Sequence, residues 1–282
     1  MQSDDDAALV ESIGRRFEEL ACQLVFVHSD IMHGFSVERP RPFDRASFLA
    51  NHFDAIREVT GDAALWFPAF NYSFPKAGVF RPHEDRSEVG HLSDYVRSSV
   101  SKWRTHVPVY SICGTGPEPT LVDTGVIDPF GSDSVFDQLI ERDGLVFNYG
   151  CDLGSLTMIH YTEQLSGSPY RYEKPFTGRI TDATDESVDV TVQFHVRPLN
   201  REMGYDWPKL QADLLQQGML ESLGNDDREF QVLPAKAVHA YWQERLADDP
   251  LFFLDRSSRD WVEPMLDELG RAFALTDFES KE

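Results

Sequence analysis

Residues 145–163, LVFNYGCDLGSLTMIHYTE, decide the fold of this chain. The segment opens with a short apolar run, Gly150 and Gly154 interrupt it, and apolar residues then recur with the spacing of a helix. Short apolar runs are typical of buried strands, and glycines mark turns. The segment therefore predicts a strand, a tight turn and a helix, the unit from which α/β folds are built.

Three polar side chains stand near the start of this predicted helix. Thr157, His160 and Glu163 follow one another at spacings of three residues, which places them on one helix face. A histidine just past the carboxyl end of a strand, with a carboxylate one turn later, suits a general base and the group that orients it. A single histidine at a helix start is also common as a structural residue. The interpretation therefore depends on the other segments.

Helices and short apolar strands alternate along the first part of the chain, which predicts an α/β core with a central mixed sheet flanked by helices. A long aromatic loop follows the second strand, and loops of that length are usually functional. The predicted strands cover residues 24–27, 64–67 and 107–112, the helices cover 9–20, 44–61, 92–103 and 134–142, and the loop covers 70–90.

The pattern changes after residue 167. Residues 170–180 and 188–196 alternate strictly between apolar and polar side chains around a polar turn, so they predict an added antiparallel hairpin. C-terminal helices are expected near residues 209–218 and 235–246. We therefore divide the chain into an α/β core, residues 1–167, and a hairpin plus helical region, residues 168–282, packed on it as one structural unit.

The charge of the chain restricts its partners. Its 282 residues carry a net charge of -22, which disfavours binding to nucleic acid and to anionic membranes and attracts polycations. The chain has 6 Lys against 20 Arg and 28 Asp against 20 Glu. This bias is expected of a protein from a saline cytoplasm as well as of an ordinary acidic enzyme. Charge alone does not select a substrate.

The remaining composition indicates a cytoplasmic protein. No run of 18 apolar residues is present, so we expect no transmembrane helix, and the acidic start is unlike a signal peptide. The cysteines, Cys22, Cys113 and Cys151, stand in or beside apolar runs without zinc-ligand spacing. They are expected to be buried thiols in a reducing compartment. We find no P-loop, dinucleotide fingerprint or Gly-x-Ser-x-Gly elbow.

Six short motifs follow one another in the first two thirds of the chain. They are HSDI at residues 28–31, LWFP at 65–68, GHLSDYVR at 90–97, RTHVPVYS at 104–111, PFGSDSVFDQL at 129–139, and the Thr157, His160, Glu163 triplet.

In this order the motifs resemble those of the aminoglycoside 3-N-acetyltransferase family, the antibiotic N-acetyltransferases, over about residues 7 to 180. The resemblance implies transfer of an acyl group, most simply acetyl, from acyl-CoA directly to an amine. It implies His160 as the general base, Glu163 as its orienting group or a ligand of the substrate ammonium, and Thr157 or nearby backbone N–H groups at the oxyanion. No metal is implied.

The other motifs carry the implied binding sites. The resemblance assigns residues at strand ends and before a helix to CoA, and residues of the loop and turns to the acceptor. The CoA set is His28, Ser29, Arg104, His106, Ser111, Gly131 and Ser134, and the acceptor set is Asp30, Phe70, Tyr72 and Asp152.

Several features depart from the family pattern. Asp30 stands where a second serine is usual, the usual Gly-Gly near residues 37–42 is absent, and the loop at 70–89 and the tail after 167 are unlike the drug-modifying members. Those regions would contact the acceptor. The acceptor is therefore left open between an aminoglycoside, as in resistance, and a nucleotide-linked or other amino sugar in biosynthesis. A stacked or phosphorylated sugar is favoured by Tyr170, Arg171, Tyr172 and Lys174.

Other functions stay open at this point. The chain could be a catalytically silent member that binds CoA or a sugar, although the intact triplet argues against it. His83, Asp85 and His91 could instead form a metal-dependent hydrolase site, although they lack recognisable ligand spacing. Cys151 could be a nucleophile, but a buried thiol is the better interpretation. The expected partners are CoA and a small amine, without nucleic acid or membrane, and a homodimer is left open.

Overall fold

The structure is a computed structural model that describes residues 4–121, 125–225 and 228–279. The first three residues of the acidic start lie outside these ranges. The helices are α1 (Asp4–Leu20), α2 (Arg45–Thr60), α3 (Phe74–Ala77), α4 (His91–Tyr95), α5 (Val135–Glu141), α6 (Ile159–Leu165), α7 (Trp207–Gln216), α8 (Ala235–Asp248), α9 (Arg256–Leu269) and α10 (Leu275–Phe278). The strands are β1 (Leu24–Ser29), β2 (Ala64–Pro68), β3 (Val79–Phe80), β4 (Ile112–Gly114), β5 (Val126–Ile127), β6 (Leu145–Tyr149), β7 (Tyr172–Thr181), β8 (Ser187–Val196), β9 (Glu221–Asn225) and β10 (Arg228–Pro234).

A mixed sheet forms the centre of the molecule, as the sequence predicts. Its strand order is β4-β2-β1-β6-β10-β9. Strand β1 pairs in parallel with β2 and β6, whereas β4, β10 and β9 join antiparallel to their neighbours. The carboxyl ends of β1 and β6 therefore meet at one edge, where ligands bind in open α/β sheets.

Alternate side chains of β1 serve the two faces of the sheet. Val25 and Val27 pack under α1 and α2, whereas Leu24 and Phe26 face the core formed with α5 and α8. Because both faces are covered, the strand is continuously apolar from Leu24 to Val27, and this run is what identified it in the sequence. The predicted helix after Asp44 is confirmed, since the Asp44 carboxylate accepts a hydrogen bond from the Ser47 amide at the start of α2.

A second sheet contains the predicted hairpin. Strands β7 and β8 pair antiparallel over their full lengths, with β3 alongside β7 and β5 alongside β8, both in parallel. The hairpin thus rests against the loop after β2 and the segment before α5.

Several elements differ from the sequence prediction. The strand predicted at residues 107–112 begins only at Ile112, because Val109 has a left-handed φ of 70° that extended strands do not contain. The helix predicted at 92–103 is α4 followed by one π-helical turn, Val96–Val100. Strands β9 and β10 were not predicted, and β10 brings residues from beyond 167 into the central sheet beside β6.

Among the described residues, no helix combines the length and the apolar composition needed to cross a bilayer. The three cysteines are free thiols, and Cys113 is fully buried.

Gly150 makes the turn at the carboxyl end of β6 possible. Its φ is 71°, and the loop after β1 crosses directly over it. A Cβ at this position would lie 2.6 Å from the His33 carbonyl carbon and 2.7 Å from the Gly34 amide nitrogen, and closer still to the Asp30 carbonyl oxygen. The close crossing holds the loop after β1 against the end of β6.

We expect Gly150→Ala to lower the free energy of unfolding by about 2–5 kcal/mol, because it adds backbone overlap to the left-handed strain. Gly61→Ala is the matched control, since Gly61 has a φ of 58° and no atom of the described residues lies within 4 Å of an added Cβ. The control should cost only about 1–2 kcal/mol. Urea unfolding followed by circular dichroism measures both, and equal losses would show that the crossing contributes nothing.

Candidate active site

A cavity of about 760 Å³ opens at the carboxyl ends of β1 and β2, between the segment that follows β6 and the hairpin. We call it the main cavity. Aromatic and apolar side chains form most of its wall, and a few polar side chains interrupt them. The polar and aromatic residues that line it include His28, Ser29, Phe70, Tyr72, Tyr110, Phe130, Thr157, His160, Arg171, Phe194, His195, Arg197, Tyr205 and Trp207.

His160 and Glu163 form a hydrogen-bonded pair at this wall. His160 lies in the first turn of α6 and exposes a quarter of its side chain, whereas the Glu163 side chain is fully buried behind it. The His160 Nδ1 is 3.0 Å from the Glu163 Oε2. We assign a proton to Nδ1, because the ionised carboxylate is the strongest acceptor within its reach. In the neutral ring, Nε2 is then the nitrogen with a free lone pair.

Donors surround the Glu163 carboxylate. The Tyr205 hydroxyl donates to Oε2 at 2.7 Å, and the Tyr170 hydroxyl donates to Oε1 at 2.8 Å. The Nε of Arg171 forms an ion pair with Oε2 at 2.9 Å. Burial raises the pKa of Glu163, but the Arg171 charge and the hydrogen bonds from His160 and Tyr205 outweigh it and lower that pKa to about 2. The carboxylate is therefore ionised at neutral pH.

Arg171 ties this carboxylate to the hairpin. Its Nη1 donates to the His195 carbonyl oxygen at 2.9 Å, its Nη2 donates to the Tyr205 hydroxyl, and the same Nη2 lies 3.2 Å from the His160 Nδ1. Burial lowers the pKa of His160, and the Arg171 charge lowers it further, against the opposing effect of Glu163. The imidazole is therefore neutral at pH 7, the form that can accept a proton.

Thr157 also lines the main cavity, but it lies just before α6 rather than on it. The prediction that Thr157 belongs to the first helical turns is wrong, because a 3₁₀ turn, Leu153–Ser155, delays the helix to Ile159. The Thr157 hydroxyl makes only a long hydrogen bond, 3.4 Å, to the Ser155 carbonyl oxygen. It lies on the same wall as His160.

His28 and Ser29, at the end of β1, line the main cavity as well. The Ser29 Oγ is buried without a hydrogen-bond partner among the described residues. An unpaired buried hydroxyl costs free energy unless a ligand or water pairs with it. Burial lowers the pKa of His28 to about 3, so this ring is neutral.

Arg104 and Ser111 do not line the main cavity. The Arg104 guanidinium is buried and donates to the carbonyl oxygens of Pro82, Asp85 and Ala69, while its Nε donates to the Ser111 Oγ at 3.0 Å. These bonds occupy the donors that a CoA phosphate would need. In this structure Arg104 therefore stabilises the long aromatic loop through hydrogen bonds, and it does not form a phosphate-binding site.

His106, Gly131 and Ser134 line a different cavity of about 620 Å³, beside β5 and the hairpin. The Ser134 hydroxyl accepts a hydrogen bond from the Asp137 amide at 3.2 Å and so caps α5. The residues predicted to bind CoA therefore lie in three places. His28 and Ser29 line the main cavity, and His106, Gly131 and Ser134 line the second cavity. Arg104 and Ser111 are hydrogen-bonded to each other outside the main cavity.

The predicted acceptor set is also divided. Phe70 and Tyr72 line the main cavity. The Asp30 carboxylate instead accepts from the Met32 amide at 2.9 Å, and the Asp152 carboxylate accepts from the Gly154 amide at 2.9 Å. Neither carboxylate lines the main cavity, because each closes a local turn.

The competing sites find little support. Burial raises the pKa of Cys151 to about 12, which keeps it a thiol rather than a nucleophilic thiolate. In the part of the chain that the structure describes, no group of three His, Cys, Asp or Glu side chains could hold a metal ion. His91 instead pairs with Arg45, and Asp85 accepts from the Arg81 amide.

Sequence reasoning missed Tyr205, Arg197 and Trp207 as cavity residues. They follow the hairpin, in a segment without a motif, and reach the site only because the chain folds back onto α6. One local signal was present in the sequence of this segment: two aromatic residues, Tyr205 and Trp207, flank the helix-capping Asp206.

Comparison with known proteins agrees with the resemblance drawn from the motifs. Residues 54–247 match the family model described as aminoglycoside 3-N-acetyltransferase. No curated protein matches the sequence.

Several solved structures share the fold. AAC-IIIb in a binary complex with CoASH is 18% identical, with a TM-score of 0.67 over 85% of this chain and 96% of that one. A mutant of AAC(3)-IVa in complex with a gentamicin is 17% identical, with a TM-score of 0.63 over 90% and 93%. The YokD protein from Bacillus subtilis is 14% identical, with a TM-score of 0.62 over 85% and 99%. The family match spans more than half of the chain, and the chain therefore belongs to the aminoglycoside 3-N-acetyltransferase family of acyl-CoA-dependent enzymes.

Proposed function

We propose that this chain transfers an acetyl group from acetyl-CoA directly to an amino group of an amino sugar, with His160 as general base. The observation that carries the proposal is the His160–Glu163 pair at the wall of the main cavity, with Nδ1 on the carboxylate and Nε2 free. This is the arrangement that a neutral imidazole base needs.

In the proposed reaction the amine nitrogen attacks the thioester carbonyl carbon. The N–C bond forms, the C–S bond breaks, and CoA leaves through its sulfur. The His160 Nε2 takes the proton that the amine loses. Glu163 holds the ring in the tautomer with Nδ1–H and stabilises the imidazolium that forms. Neighbouring donors such as the Thr157 hydroxyl can stabilise the oxyanion, an effect of about 2.7–4 kcal/mol per donor.

The residues at the end of β1 fit the acyl donor. The buried, unpaired Ser29 hydroxyl supplies a hydrogen-bonding group for a pantetheine amide, and the apolar wall suits its chain. A CoASH complex is known for AAC-IIIb, which shares the fold. CoA then supplies the activated acyl group, and the chain supplies the base and the orientation.

Two acceptor classes deserve testing. The gentamicin complex of the AAC(3)-IVa mutant favours an aminoglycoside, as does the family to which the chain belongs. The aromatic side chains of the main cavity, among them Tyr72, Tyr110 and Trp207, favour a single sugar ring stacked on one of them.

Thiol release should be measured with acetyl-CoA and longer acyl-CoAs against gentamicin, nucleotide-linked amino sugars and glucosamine. Absence of thiol release with every pair, in protein that binds CoA, would favour a silent binder.

Replacing the base should affect the chemical step. We expect His160→Ala to lower kcat by about 10²–10⁴-fold, because the amine loses its proton acceptor. The Kd for CoA, measured by calorimetry, should change little. His83→Ala, in an exposed loop, is the matched control and should keep normal turnover. Near-normal turnover of the His160 variant would contradict its assignment as base.

The pH dependence should report the lowered pKa of His160. Activity is lost as the pH falls through that pKa, so the acid limb of kcat/KM should lie below pH 6.5. Arg171→Gln removes a charge that lowers this pKa and should move the limb to higher pH, whereas Arg171→Lys should move it less. Circular dichroism verifies that each variant is folded. An acid limb that stays in place in folded Arg171→Gln would argue against titration of His160.

A further inference from the structure

The described residues place no carboxylate on the wall of the main cavity. None of the described residues that line it is Asp or Glu, although the chain as a whole has a net charge of -22. Glu163 lies behind His160, and its charge is already paired with Arg171. A ligand with several ammonium groups would lose its hydrating water on entering this cavity. Because no carboxylate of the lining residues would replace that water, binding such a ligand would cost free energy.

The main cavity contains an arginine, Arg197, that has no anionic partner in the described part of the chain. Arg197, directly after β8, is exposed and lines the cavity. Its Nη1 donates to the Met203 carbonyl oxygen at 2.7 Å, which fixes the side chain but leaves other guanidinium donors free for a ligand. Among the described residues, no carboxylate forms an ion pair with it. A guanidinium in this situation suits a carboxylate or phosphate, which it can bind through two parallel hydrogen bonds.

A second polar partner lies on the same strand. The side chain of His195 is nine-tenths buried, and Nδ1 lies 2.7 Å from the Glu173 Oε1. Its Nε2 is buried and has no hydrogen-bond partner among the described residues, and His195 lines the main cavity. This nitrogen is available to a polar group of the ligand.

The spacing from Arg197 to the proposed base suits a small molecule. The guanidinium of Arg171 contacts both the His195 carbonyl oxygen and the His160 ring. The His195 backbone and the His160 ring are therefore separated by the width of a single guanidinium group. Arg197 follows two residues later, roughly 7 Å from His195 along the chain. A molecule of the size of one sugar ring can place its amine at His160 and an acidic group at Arg197.

We infer that the acceptor is a small amine that also carries an anionic group, bound by Arg197, rather than a polycation. The inference rests on the proposed acyl transfer and names its acceptor class. Phosphate and carboxylate share the chemistry that Arg197 recognises.

An anionic group of CoA is the alternative ligand of Arg197. However, the residues proposed to bind the acyl donor, His28 and Ser29, lie at the end of β1, whereas Arg197 lies on the hairpin side of the main cavity.

The test compares glucosamine, glucosamine 6-phosphate and gentamicin as acceptors in an acetyl-CoA thiol-release assay. The first two differ only by the phosphate. We expect the phosphorylated amine to have at least about tenfold higher kcat/KM than glucosamine, and both to exceed gentamicin. Arg197→Gln should remove this preference by raising the KM for glucosamine 6-phosphate about tenfold, and Arg197→Glu should invert it.

Arg179→Gln is the matched control, because it removes the same charge from the far part of the hairpin. The Kd values of CoA and dephospho-CoA are measured on each variant. A wild-type preference for gentamicin would overturn the inference, and so would an Arg197→Gln variant that weakens CoA binding while its acceptor preference is unchanged. Release of no thiol with any amine would instead count against the proposed acyl transfer, so the two failures are distinguishable.

Discussion

The buried charge of Glu163 is the constraint on which the region around the main cavity depends. Its carboxylate joins three separate parts of the chain: α6 through His160, the start of the hairpin through Tyr170 and Arg171, and the segment after the hairpin through Tyr205. An ionised carboxylate without water must be surrounded by donors. These three segments therefore assemble around it, and the main cavity is the space they leave against the central sheet.

The parts of the molecule that follow local rules could be predicted from the sequence. Residues 145–163 encode a buried strand, a turn at Gly150 and an apolar helix, and each is present. The alternating hairpin is also present, because period-two alternation has few other physical solutions. His160 and Glu163 could be identified together, since a spacing of three on one helix face brings side chains into contact.

The rest depends on contacts between distant residues. Strand β10 was missed because its pairing with β6 is not encoded in a local pattern. Arg104 looked like a phosphate ligand in its motif, yet its guanidinium is used by carbonyl oxygens of the loop before it. Tyr205 and Arg197 carry no motif and become visible only when the hairpin is folded. The net charge of -22 likewise did not predict the local charge of the main cavity, where none of the described lining residues is a carboxylate.

The late position of β10 has a consequence for synthesis on the ribosome. Strand β6 can pair with β1 as soon as residue 149 has emerged, but its other edge stays open until residues 228–234 follow. An unpaired strand edge is a site for mispairing with other chains. The nascent chain therefore passes through an interval in which α6 exists beside an unfinished sheet. Silent changes of codon speed between residues 150 and 234 would alter how long this aggregation-prone interval lasts without altering the finished enzyme.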